Sequence, residues 1–212
     1  MDKYKKLATN TLIFAIGTFS SKILSFLLMP YVTRMLGTGD YGSADLIQQT
    51  ANVLIPIVFL QINSACLRFA LDKNEDKGNV FTIGIRVTLL GFVVFLLFAP
   101  IISIIKVNDF NLGNYIVLIY AFVLVSGFRQ LCQQFVRGCG KVTIFAVDGI
   151  LATATTLVFN LLFLGPFHWG VTGYVVAIIA SDACSVLFLF VTCKLALCQN
   201  QRRYKRCLQG NA

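Results

Sequence analysis

Apolar residues run in long blocks along the chain, separated by short stretches dense in glycine, proline, asparagine or charge. Blocks over about 12–36, 43–71, 80–105, 115–136, 142–164 and 171–197 each suffice to cross a bilayer, whose ~30 Å hydrocarbon core takes about 20 helical residues. The separators carry turn chemistry. They are the glycine-rich run from Gly37 to Gly42, the hydrophilic loop from Asp72 to Asn79, the stretch from Lys106 to Asn114, the basic turn from Arg137 to Lys141, and the turn from Gly165 to Gly170. Pro30 falls inside the first block and predicts a bend there, and Pro56 lies near the middle of the second. The basic start of the chain, followed by an apolar run too long for a signal peptide and without a small-residue cleavage site, predicts a retained first helix. The pattern predicts an all-α integral membrane protein: six transmembrane helices over residues 1–198 and a short basic tail over 199–212.

Polar residues inside the first two blocks are not scattered. Asp45, Gln48, Gln49 and Asn52 recur at i, i+3, i+4 and i+7, so one helical face carries all four. Thr18, Ser21, Lys22 and Ser25 repeat that spacing on the preceding block. Polar groups at membrane depth are costly and persist mainly where they face protein interior or a wet cavity. Two such stripes on consecutive helices predict a hydrophilic cavity.

Composition excludes the soluble alternative. Hydrophobic residues make up 57% of the 212 and charged residues 13%, against about 25% charged in soluble domains. The net charge of +9 would suggest nucleic acid in a soluble protein, but here the basic residues sit between apolar spans, so they set orientation and no nucleic-acid face remains. With the N-terminus cytoplasmic, fifteen of the 18 Lys and Arg fall on that side, Arg34 and Lys106 on the other, and Lys22 mid-span. Both termini are therefore expected in the cytoplasm. The seven cysteines form no CxxC pair and read as small apolar fillers. Nucleophile–base pairs, phosphate-binding glycine loops and metal-ligand clusters are not evident, so neither enzyme chemistry, a cofactor nor a metal is expected.

The order of features resembles a known family. A basic N-terminus, SSKILSFLLMPYVTRMLGTGDYG and a polar second helix ending in SACLRFALDK are similar to the start of polysaccharide-biosynthesis (Wzx-type) flippases of the multidrug/oligosaccharidyl-lipid/polysaccharide exporter superfamily. RGCGKVTIFAVDGILATATTLVFNLLFL and WGVTGYVVAIIASDACSVLFLFV resemble that family's fourth-to-sixth helix region, and the LGxxxYG element (Leu36, Gly37, Tyr41, Gly42) is the most specific part. The resemblance implies a fold of two lobes around a central cavity, which moves a polyprenyl-diphosphate-linked oligosaccharide across the cytoplasmic membrane by alternating access. Six helices correspond to the N-terminal lobe only. The expected partners are membrane lipid, the lipid-linked glycan, and a second lobe supplied by a C-terminal half or by a second copy. Another carrier of the superfamily, exporting lipid II or drugs, and a non-transporting remnant are the competing readings.

Individual residues can then be assigned expected roles. Lys22, near the middle of the first helix, suits a diphosphate or glycan carboxylate, with an ion pair to Asp182 of the sixth helix as the structural alternative. Arg34 is expected at the cavity mouth or as an interfacial anchor. Asp45, Gln48, Gln49 and Asn52 are expected to meet sugar hydroxyls, and Arg129 and Gln133, sharing a face of the fourth helix, to meet the diphosphate. Asp148, Thr156 and Asn160 read as satisfied packing, Arg68, Arg86 and Arg137 as cytoplasmic-side anchors, and His168 and Trp169 as interfacial.

Overall fold

The computed structural model describes residues 2–72, 75–97, 106, 107, 110, 111 and 115–209. Among these residues six helices follow in chain order: α1 Asp2–Val58, α2 Ile62–Leu71, α3 Lys77–Leu96, α4 Ile116–Gly138, α5 Val142–Leu164 and α6 Gly170–Gln209. In the expected turn after α3, β1 (Lys106–Val107) pairs antiparallel with β2 (Phe110–Asn111). The end of the third expected span through residue 105, with Pro100, lies outside the described residues, as do Lys73 and Asn74. So do the side chains of Thr18, Ser21 and Ser25 and those from 193 onward; the backbone of the basic tail continues α6 to Gln209.

Among the described residues, four helices are long and apolar enough to cross a membrane: Lys77–Leu96, Ile116–Gly138, Val142–Leu164 and Gly170–Thr192. Lys22–Val58 and Ile62–Leu71, bent by 57°, add a fifth span if taken as one. The described residues therefore establish a helical membrane protein with four to five candidate spans among them. The first two expected spans run together because helical geometry is lost between them only at Gly37 (φ 74°, ψ 167°). That left-handed φ is open to glycine at no steric cost. On one side of the break, a Cβ placed on Gly165 would lie 3.3 Å from the Tyr31 hydroxyl; on the other, Gln48 bonds Tyr174. Both arms of α1 thus reach the same end of the bundle, where α5 turns into α6.

A second break, not expected from the sequence, separates α1 from α2. Pro56 supplies no N–H to the turn before it. After it, the Gln61 N–H bonds the Pro56 carbonyl at 3.1 Å, and Leu60 and Gln61 take left-handed φ values of 47° and 55°. Such backbone costs about 1–3 kcal/mol per residue and persists only when its surroundings over-determine it. Here two glycines do so. The fully buried Phe59 lies where Gly127 of α4 has no side chain, and a Cβ there would come within 2.0 Å of its ring. The Val58 carbonyl approaches Gly91 of α3 so closely that a Cβ would fall 2.4 Å from its oxygen.

The core has two parts. The larger joins Leu28, Val32 and Leu36 of one α1 arm to Ala44, Ile47, Ala51 and Ile55 of the other, with Phe95, Ile119, Val123, Leu164 and Val175. The smaller gathers Cys66, Ala70, Phe81, Leu131, Phe135 and Leu189 at the other end of the bundle. Many large apolar side chains lie outside both, among them Phe26, Leu27, Leu90, Leu97, Val117 and Leu187. In water that surface would be an aggregation hazard; against acyl chains it is at home. Lipid also removes the hydrophobic drive for helix association, leaving close packing at small residues and interhelical hydrogen bonds as the cement.

Candidate functional site

Polar side chains gather in two places, and the first is deep among α4, α5 and α6. Ser126, Arg129 and Gln133 of α4 recur at helical spacing and face Asp182 and Ser185 of α6 and Asp148 of α5. Arg129 sets Nη1 2.7 Å from Asp182 Oδ1, Nη2 3.6 Å from Asp148 Oδ2, and donates from Nε to Ser185 Oγ at 3.0 Å. Ser126 donates to the other Asp182 oxygen, Ser185 to Asp148 Oδ1, and Gln133 to Asp148 Oδ2 at 2.7 Å. Both carboxylates are buried, Asp148 wholly. Every carboxylate oxygen has a donor, the condition for keeping charge out of water. Beside this network, Ser181 accepts from Thr156 at 2.8 Å and donates to the Ala152 carbonyl at 2.6 Å, closing α5 onto α6.

The partner of Asp182 is thus Arg129, where the sequence offered Lys22 as the alternative. Lys22 itself is exposed, as is Arg34. The guanidinium of Arg129, expected to face a diphosphate, is committed to two carboxylates. Freeing it would strand both acids, and breaking a buried pair costs about 3–5 kcal/mol.

The second gathering is the α1 stripe. Ala44, Ile47, Ala51 and Ile55 form the buried edge of this helix, and the polar positions flank it. Asp45 and Gln48 are half-buried; Gln49 and Asn52 are exposed. Gln49 donates to Asp45 Oδ1 at 3.3 Å, and Tyr174 of α6 donates to Gln48 Oε1 at 3.3 Å. Tyr41 meets the Tyr174 ring edge to face at 6.3 Å. Among the described residues no hydrogen bond or ion pair joins this group to the Arg129 network.

Sequence reasoning missed Ser126, Ser185, Tyr41 and Tyr174, and took Asp148 for ordinary packing. A signal was available. Helices joined by a short turn oppose residues at similar distances from it: Gln133 and Asp148 flank the turn at 139–141, and Asp148 and Ser185 the turn at 165–169.

The other positions are peripheral. Arg68, Arg86 and Arg137 are exposed, Arg137 with its guanidinium 5.8 Å from the Phe145 ring centre. His168 is exposed at φ 50°, and Trp169 stacks on Phe163 at 5.2 Å. Asn160 donates to the Thr156 carbonyl at 2.8 Å. Cys66 and Cys132 are buried apolar filler, Cys139 is half-buried and Cys184 exposed. No group of three or more His, Cys, Asp or Glu placed to hold a metal occurs among the described residues.

A multi-pass helical membrane protein with paired internal charges and a polar outer stripe suits many carriers. Comparison with known proteins narrows the choice: residues 7–208 match the family described as polysaccharide biosynthesis protein. The chain belongs to the polysaccharide biosynthesis protein family. This member is also 34% identical over 96 residues to a protein of the Lsg locus of Haemophilus influenzae. The aligned stretch covers 42% of the chain and 23% of that relative, so the chain spans under a quarter of the curated relative it matches. No solved structure matches this family member.

Proposed function

We propose that the chain is one lobe of a flippase that carries a polyprenyl-diphosphate-linked oligosaccharide across the cytoplasmic membrane for polysaccharide export, with both termini cytoplasmic. The observation that carries this reading is the exposed stripe of Gln49 and Asn52, beside Asp45 and Gln48, on a helix of a polysaccharide-biosynthesis family member. Amides directed at acyl chains would be costly, so the stripe faces water, glycan or a second lobe. A C-terminal half or a second copy of the chain closes the cavity over it. Lys22, exposed and cationic, attracts the diphosphate, and Arg34 stands at the mouth. Arg129, Asp148, Asp182 and Gln133 bind α4, α5 and α6 into a unit stiff enough to rock as one body. The residues that touch substrate carry it without a bond-making step.

The purified chain in vesicles, loaded with a fluorescent polyprenyl-diphosphate oligosaccharide, tests this. Binding of the label is expected, with protein-dependent movement between leaflets once the second lobe is present, and Lys22→Ala should weaken binding of the lipid about tenfold, as loss of one charge-assisted contact does. A chain that neither binds the lipid-linked glycan nor moves it would end the reading.

A further inference from the structure

We propose that Tyr41 and Tyr174, together with Asp45, Gln48 and Gln49, form a subsite for one uncharged or amino-bearing pyranose of the glycan, at the end of the lobe where α5 turns into α6. The inference rests on the flippase reading and goes beyond it by dividing the substrate between two places. Its basis is the combination of groups. Tyr174 is pinned by its bond to Gln48 Oε1 (3.3 Å) and holds Tyr41 edge to face at 6.3 Å, so two half-buried rings stand fixed beside the polar stripe. A fixed ring offers the apolar C–H face of a sugar a surface with little entropy left to lose.

The hydrogen-bonding capacity beside those rings is mixed. Gln49 gives its amide to Asp45 Oδ1, and Gln48 receives from Tyr174. Among the described residues this leaves the Gln48 amide N–H groups and the second Gln49 N–H as donors, and Gln49 Oε1 and Asp45 Oδ2 as acceptors. Sugar hydroxyls both give and receive, and an alternation of donor and acceptor beside an aromatic wall is complementary to them. Charge decides what the patch does not take. The Asp45 carboxylate repels a phosphate or a uronate placed here, so the diphosphate goes to Lys22 and an acidic sugar is disfavoured at this position. A hydroxyl-rich or amine-bearing ring has no such conflict.

Two probes separate this subsite from the function it depends on: polyprenyl diphosphate carrying its oligosaccharide, and bare polyprenyl diphosphate, each titrated against the full chain in nanodiscs. Tyr41→Leu should weaken the glycan-bearing probe about tenfold and leave the bare probe within twofold, the size expected for one lost aromatic contact. Gln49→Ala, at an exposed position, should shift the same probe about threefold in the same direction, and it serves where Tyr41→Leu fails to fold. Equal weakening of both probes, or of neither, overturns the sugar subsite while the flippase reading stands. Failure of the unaltered chain to bind either probe overturns both.

Discussion

The charges around Arg129 and the polar stripe around Gln48 are both hydrophilic interruptions of apolar helices, yet the chain treats them oppositely. The first is closed on itself: α4, α5 and α6 each contribute, and every carboxylate oxygen has a donor. The second is open: Gln49 and Asn52 are exposed, and hydrogen-bonding groups are left over. A satisfied network rigidifies, whereas an unsatisfied stripe invites a ligand. In a membrane this difference is sharper than in water, because bulk solvent is not at hand to satisfy what the protein leaves unpaired.

The comparison breaks most easily at the closed site. Arg129→Ala should destabilise the protein by roughly 3–5 kcal/mol, since Asp148 and Asp182 would share a buried space with no countercharge. Thermal unfolding in detergent reads this. Replacing Arg129, Asp148 and Asp182 together by leucine should recover part of the loss, because no charge is then left unpaired while Ser126, Gln133 and Ser185 lose their acceptors. A melting curve unmoved by Arg129→Ala would show that the network cements nothing.

Phe59 ties the two regions together. It closes the α1 arm that bears the stripe and fills the space at Gly127, between Ser126 of the network and Arg129 two residues on. Gly127→Ala drives a methyl into that ring and should cost about 1–3 kcal/mol, the usual range for overpacking. Phe59→Leu in the same chain should return part of it. A double-mutant cycle on denaturation midpoints measures the coupling, and strictly additive effects would mean the ring and the glycine do not bear on one another.

These positions also show what could be read in the chain alone. Helical membrane character followed from block length and hydropathy, because lipid leaves few alternatives to a spanning helix. Family membership was legible in the LGxxxYG element and its neighbours. The number of spans was harder: Gly37 ends helical geometry for a single residue, and the Pro56 break falls inside a block of unbroken hydropathy. Hydropathy averages over such local geometry. Partner choice was harder still. Lys22 and Asp182 matched by charge and approximate depth, but depth does not say which faces meet; Asp148, read as satisfied packing, is instead a fully buried carboxylate beside Arg129. Reflection of residues across the short turns carries that information, and charge-matching does not.

The smallest effect decides what the open stripe faces. Asn52→Leu touches an exposed position, so its influence on folding depends on the medium outside it. Against water or a second lobe's polar wall, the change should move stability by no more than about 0.5 kcal/mol, as surface substitutions do. Against acyl chains it would remove an amide from hydrocarbon and stabilise the protein by more than about 1 kcal/mol, given the cost of an unpaired polar group there. Unfolding of Asn52→Leu in lipid nanodiscs, followed beside its affinity for the glycan-bearing lipid, separates the two. Unchanged stability with weakened binding is expected. A clear gain in stability with binding intact would turn the stripe outward to lipid, and the distinction between a closed site and a receptive one would fall with it.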